Sequence, residues 1–169
     1  MAIRWQLFPK SRPPDQVAFD IAASFVAVQG QVETPTNQST SNQVLAAVRP
    51  GLQSYGFEVE SRGVSLDVPV LFGLNGRPSK TYRVDAWNRD ANAVIEVESG
   101  AAMDAHRFHK DLLADVDFFC IAVKNEYRPK RFAAERASQR DFDSALVFLE
   151  TLYASRMRLP LDAVMLLGY

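Results

Sequence analysis

Cysteine is almost missing from this chain: Cys120 is the single thiol in 169 residues. One thiol cannot close a disulfide within the chain, and a zinc site built on several thiolates is excluded. Its setting, the apolar run Phe118-Phe119-Cys120-Ile121-Ala122-Val123, is that of a packed cysteine. Excess charge is also missing. Nineteen basic residues against 20 acidic ones leave a formal net charge of -1, which excludes a globally basic nucleic-acid binder but not a local basic surface. No apolar run approaches the ~18 residues of a membrane-spanning helix. Met1 to Lys10 lacks an apolar core followed by a small-residue cleavage site, so the sequence predicts a cytoplasmic protein without a signal peptide. There is no Gly-x-x-x-x-Gly-Lys-Ser/Thr loop, no Gly-x-Gly-x-x-Gly turn and no Gly-x-Ser-x-Gly elbow, and no nucleophilic triad finds support.

What is present is an ordinary globular composition, 47% hydrophobic and 23% charged, long enough for one domain with its own core. Pro13 and Pro14 suit a first helical turn, and Ala18, Ile21, Ala22, Phe25 and Val28 form one apolar stripe behind them. A polar loop is expected over residues 30 to 41. A second helix from about 42 carries Val44, Leu45, Val48, Leu52 and Tyr55, is expected to kink or split at Pro50, and ends at Gly56. The period then changes to two, which predicts strands at about 57–61, 66–72, 80–88 and 92–98. A helix to about 115, an apolar strand at 117–123, a helix from about 141 and a last strand near 161–167 complete the order. That alternation defines an α/β fold.

The chemistry-bearing stretch is Tyr82 to Glu98, YRVDAWNRDANAVIEVE. A hairpin with Asp90 and Ala91 at its tip opposes Val84 to Val97 and Ala86 to Ile95 on an apolar face. On the other face Asp85 opposes Glu96, and Arg83 opposes Glu98. Directly opposed Cβ atoms lie about 4.5–5.5 Å apart, and like charges there repel. Two readings follow. In one, a hard divalent cation sits among the three carboxylates, keeping waters and open positions for phosphate oxygens. In the other, Arg83 balances Glu98 and the remaining carboxylates face water.

Val84-Asp85 and Ile95-Glu96-Val97-Glu98, followed by Ser99-Gly100, a helix and the apolar strand 117–123, resemble the PD-(D/E)xK nuclease superfamily, the fold of many restriction endonucleases. The likeness spans about residues 57 to 125. Glu98 stands where the family has lysine, and no proline precedes Asp85; glutamate or glutamine occupies the lysine place in some restriction enzymes. The resemblance implies a restriction-endonuclease-like central mixed β-sheet flanked by helices. The single domain would comprise a helical layer (1–56), a sheet and active-site core (57–125) and a basic segment with the C-terminal helix and last strand (126–169). It implies a Mg²⁺- or Mn²⁺-dependent endonuclease that hydrolyses DNA phosphodiester bonds. Asp85 and Glu96 would hold the metal, and Glu98 would either bind it or take a proton from the attacking water. The alternative is a catalytically inactive module of the same fold that binds nucleic acid or a protein partner.

Residues 103 to 111, MDAHRFHKD, place His106 and His109 three apart on a helix, off the stripe of Ala105, Phe108 and Leu112. His106 and Lys110 are auxiliary candidates beside the metal; zinc would need a third protein ligand. Lys124, Arg128, Lys130, Arg131, Arg136 and Arg140, interleaved with Tyr127 and Phe132, form the candidate nucleic-acid surface. Contacts of that kind grip phosphates without reading sequence. DNA is the expected partner, with a homodimer or a DNA-binding partner protein supplying the rest of the recognition.

Overall fold

The computed structural model describes residues 2–34, 36–99, 116–126, 140–155, 159 and 161–169. The expected helices in these stretches form where sequence signals start and stop them. Helix α1 (Gln16–Val26) opens at Asp15, whose side chain accepts from the Ala18 N–H, as N-cap aspartates do. A single turn, α2 (Gln29–Val32), overlaps the start of the expected loop. Helix α3 (Ser41–Ser54) begins with a reciprocal capping box between Thr40 and Gln43, and Gly56 follows it at φ +83°. Pro50 does not split α3, contrary to expectation. Pro50 and Ala46, whose carbonyl loses its helical donor there, both lie on the exposed face, where water can serve that oxygen.

The strands are β1 (Arg4–Phe8), β2 (Glu58–Val59), β3 (Leu66–Phe72), β4 (Pro78–Val84), β5 (Ala86–Asn88), β6 (Ala93–Glu98), β7 (Phe118–Val123) and β8 (Ala163–Gly168). Helix α4 (Asp141–Ala154) precedes β8. Six strands form one mixed sheet in the order β1-β8-β7-β6-β5-β2, and β3 with β4 forms a separate two-stranded ribbon. Pairing is parallel for β6-β7 and β7-β8 and antiparallel for β1-β8, β5-β6 and β2-β5.

Because side chains alternate along a strand, the sheet buries both faces. Ile95, Val97, Cys120, Ala122, Met165 and Leu167 pack towards Ile21, Phe25, Val44, Val48 and Leu52 of α1 and α3. Val94, Phe119, Ile121, Val123, Val164 and Leu166 pack towards Phe142, Ala145 and Leu149 of α4, together with Leu66, Val68 and Val84 from the foot of the ribbon. The result is a mixed β-sheet flanked by helices, an α/β architecture of the class that the strand and helix periods predict.

Candidate functional site

Asp85 lies at the bend between β4 and β5, where the chain leaves the ribbon for the large sheet. Its Oδ2 accepts a 2.7 Å hydrogen bond from the Val97 N–H, and its carbonyl accepts from the Glu60 N–H, also at 2.7 Å. The carboxylate therefore ties the start of β5 to the end of β6. Glu96 and Glu98 lie on β6 on the face shared with Ile121 and Val123. The carbonyl of Glu98 accepts a 2.7 Å hydrogen bond from the Tyr169 hydroxyl. Burial pushes the Tyr169 phenol well above its ordinary value, and the negative charges of Glu98, Asp141 and Asp85 push it further the same way.

The expected hairpin register holds only near its tip. Ala86 pairs with Ile95, as the alternation predicts. Val84 instead pairs with Leu66, and Arg83 with Asp67, because β4 belongs to the ribbon. Arg83 does not balance Glu98: its Nε contacts Glu60 Oε1 at 2.8 Å. The turn itself is held by Asn88. Its Oδ1 accepts from the Ala91 N–H, while its Nδ2 donates to the Tyr55 carbonyl at the end of α3. That side-chain clasp does the work of the absent Asn-Gly pair.

The structure corrects the metal reading. Among the described residues no group of three or more His, Cys, Asp or Glu side chains is placed to hold a metal ion. Asp85, Glu96 and Glu98 do not meet as a donor set, and each is engaged in other interactions. The physical reason lies in the break at Asp85. One uninterrupted hairpin would have stacked the acids across from one another, whereas the bend turns Asp85 onto a backbone amide. The expectations of a Mg²⁺ or Mn²⁺ cofactor, a metal-binding catalytic centre and a phosphodiester hydrolase or nuclease are overturned together.

His106 and Lys110 lie outside the described residues, as do His109 and, in the basic segment, Arg128, Lys130, Arg131 and Arg136. Lys124 is described: it follows β7 and is only 3% exposed, and its side chain or backbone is engaged within the fold. Its carbonyl accepts from the Phe142 N–H at the start of α4.

Two features escaped the sequence reading. The first is the β3–β4 ribbon, expected as part of the large sheet. Its tip leaves Leu71 57%, Phe72 58% and Leu74 90% exposed, beside Arg77 and Lys80. Pro69 inside 66–72 was the available signal, because the interior of a large sheet does not accept proline. The second is a cleft of ≈ 460 Å³ at the ribbon's foot, bounded by α3, the turn 61–64 and Arg83.

Fold and surface together define a mixed α/β module carrying a projecting basic ribbon. No protein-family model matches the chain, and no curated protein matches it. No helix among the described residues is long and apolar enough to cross a membrane.

Proposed function

We propose that this chain is a catalytically inactive, restriction-endonuclease-like module that binds duplex nucleic acid with its β3–β4 ribbon. The observation that carries the reading is the ribbon itself. Between Leu66 and Val84 the bases are Arg77, Lys80 and Arg83, against Asp67 alone. The local charge is thus positive on a chain whose net charge is -1.

Two-stranded β-ribbons of DNA-binding proteins lie in the major or the minor groove of a duplex. Basic side chains along it meet phosphates on either side. The apolar tip of Leu71, Phe72 and Leu74 has the character of a wedge that unstacks a base step, as bending proteins use. The tip is stiffened for such a task. Gly73 N–H donates to the Arg77 carbonyl at 2.8 Å, and the Ser79 hydroxyl donates to the Leu71 carbonyl. Asn75 and Gly76 take left-handed backbone conformations at φ 59° and 69°. The succession α3, β2, β5, β6 and then parallel β7 supports the family part of the reading. That no metal-holding group of side chains occurs among the described residues supports its inactivity.

The test is fluorescence anisotropy with a short duplex over a salt series, alongside a cleavage assay in Mg²⁺ and in Mn²⁺. Binding without cleavage is expected. Arg77→Ala or Lys80→Ala should each reduce the slope of log K against log salt by roughly 0.9. Phe72→Ala should weaken binding with less change in that slope. Absence of duplex binding at low salt overturns the reading and leaves the exposed tip to a protein partner; duplex binding indifferent to all three substitutions removes the ribbon from it.

A further inference from the structure

We propose that the cleft at the ribbon's foot is a binding pocket for a phosphate group. Asn42, Leu45 and Arg49 of α3 form one wall; Glu60, Ser61, Arg62 and Gly63 form the second; Arg83 of β4 closes the third. Its ≈ 460 Å³ falls within the ~300–1,000 Å³ of small-molecule sites.

Three guanidinium groups and one carboxylate line the cleft, so positive charge exceeds negative by two. Glu60 is spent on holding arginines in place. Its Oε1 contacts Arg83 Nε at 2.8 Å, and its carbonyl accepts from Arg49 Nη2 at 2.8 Å. Fixing two guanidinium groups in advance removes much of the ordering cost that a ligand would otherwise meet. Arg49 Nε, shut away from solvent, has no hydrogen-bond partner among the described residues. Such an orphaned donor is costly in a native fold, and Nη1 is left as the Arg49 group that faces the cleft with no bond given to the fold among the described residues. Arg62 is exposed on the turn between Ser61 and Val64. Gly63, at φ +83°, gives that turn its left-handed residue and leaves open space where a side chain would stand.

The excess of two charges selects the ligand. A carboxylate brings one negative charge, whereas a phosphate monoester brings about 1.5 to 2 with three acceptor oxygens. Planar guanidinium forks match those oxygens two at a time. The Ser61 hydroxyl and Asn42 amide add neutral donors. The phosphate can come from a free phosphorylated small molecule, which carries that full charge, or from a nucleic-acid backbone lying along the ribbon, whose diester brings one negative charge and two free oxygens to the same donors.

Titration of the whole protein with inorganic phosphate, followed by the amide signals of Ser61, Arg62 and Gly63 at constant ionic strength, tests the pocket. Saturable shifts are expected. Arg62→Glu should weaken binding by about tenfold or more, with an unchanged melting temperature because Arg62 is exposed. Arg49→Lys should weaken it too, keeping the charge but losing the fork. A nucleoside monophosphate that binds more tightly than inorganic phosphate, while a duplex leaves these amides unmoved, identifies a free ligand; a duplex that moves them identifies the backbone. Unsaturable shifts, or equal binding by Arg62→Glu, overturn the pocket. Duplex binding through the tip can survive that result, so the two readings fail separately.

Discussion

Asp85 shows how a single hydrogen bond redirects a residue's role. Its carboxylate is spent on the Val97 amide at 2.7 Å, just beyond the last β5–β6 pair, Ala86 with Ile95. Removing the carboxylate leaves a backbone N–H without its acceptor. Asp85→Ala should therefore lower the unfolding free energy by about 1–3 kcal/mol in urea denaturation. Asp85→Asn, which keeps an acceptor oxygen, should lose less. Neither substitution should alter the response of stability to added Mg²⁺, and a metal-dependent difference between them and the parent protein would restore the cation reading. Gly168 is constrained from the opposite direction. A Cβ there would meet Asn125 Oδ1 and lie 2.5 Å from Phe142 Cδ2. Asn125 is itself fixed by Arg4 Nε at 2.7 Å, and Arg4 lies 4.0 Å over the Phe142 ring, so neither neighbour yields freely. Gly168→Ala should cost about 1–3 kcal/mol, read as a lower urea midpoint.

At the level of elements, the sequence marked the end of α3 at Gly56 in advance, while Thr40, which caps its start, lay inside the expected loop. Thr40 and Gln43 stand three apart ahead of an apolar stripe, and the structure makes both hydrogen bonds of the box. Thr40→Ala should destabilise the protein by about 1 kcal/mol, measured by thermal unfolding; no effect would mean that tertiary packing alone holds the start of α3. Most strands were legible: 66–72 was expected, and β3 is Leu66–Phe72. Strand partnership was not. Period two says which side of a strand is apolar and nothing about which sheet receives it. The expected strand over 80–88 is two strands, β4 and β5, divided at Asp85 between two sheets. Strand β1 was missed although its signal is in the sequence: Ile3, Trp5 and Leu7 alternate with Arg4 and Gln6 and pack together against one core. Its antiparallel pairing with β8 places it at the edge of the sheet.

The whole molecule is held by two cores on either side of one sheet, and the burial of two weak acids links that packing to pH. Burial alone raises the Cys120 thiol far above its ordinary value, and Tyr169 is raised by burial and by neighbouring carboxylates. In both cases the folded group holds its proton at a pH where the unfolded group, near 8.5 for cysteine and 10 for tyrosine, releases it. The stability associated with these groups is thus fully present below the unfolded values and is lost as pH rises above them. Unfolding free energy should be flat on this account near neutrality and then fall, by about 1.4 kcal/mol per pH unit for each ionising group. Cys120→Ala should remove the first part of the decline in urea denaturation between pH 8 and 10 (roughly the interval between the two unfolded values). An unchanged slope in that variant would show that the thiol is not the cause.

Taken by itself, the sequence determined what depends on neighbours along the chain: the α/β class, the caps, the apolar stripes, the buried thiol and the pairing of Ala86 with Ile95. Those features are set by short-range periodicity, by side chains reaching three or four residues, and by the preference of apolar surface for the interior. Tertiary structure alone decided the rest. It bent the chain at Asp85, sent Arg83 to Glu60 instead of Glu98, separated the ribbon from the sheet, and drew Arg49, Arg62 and Arg83 around one cleft. Charges act through space. Their partners are chosen by how distant segments pack, and neither spacing nor composition records that choice.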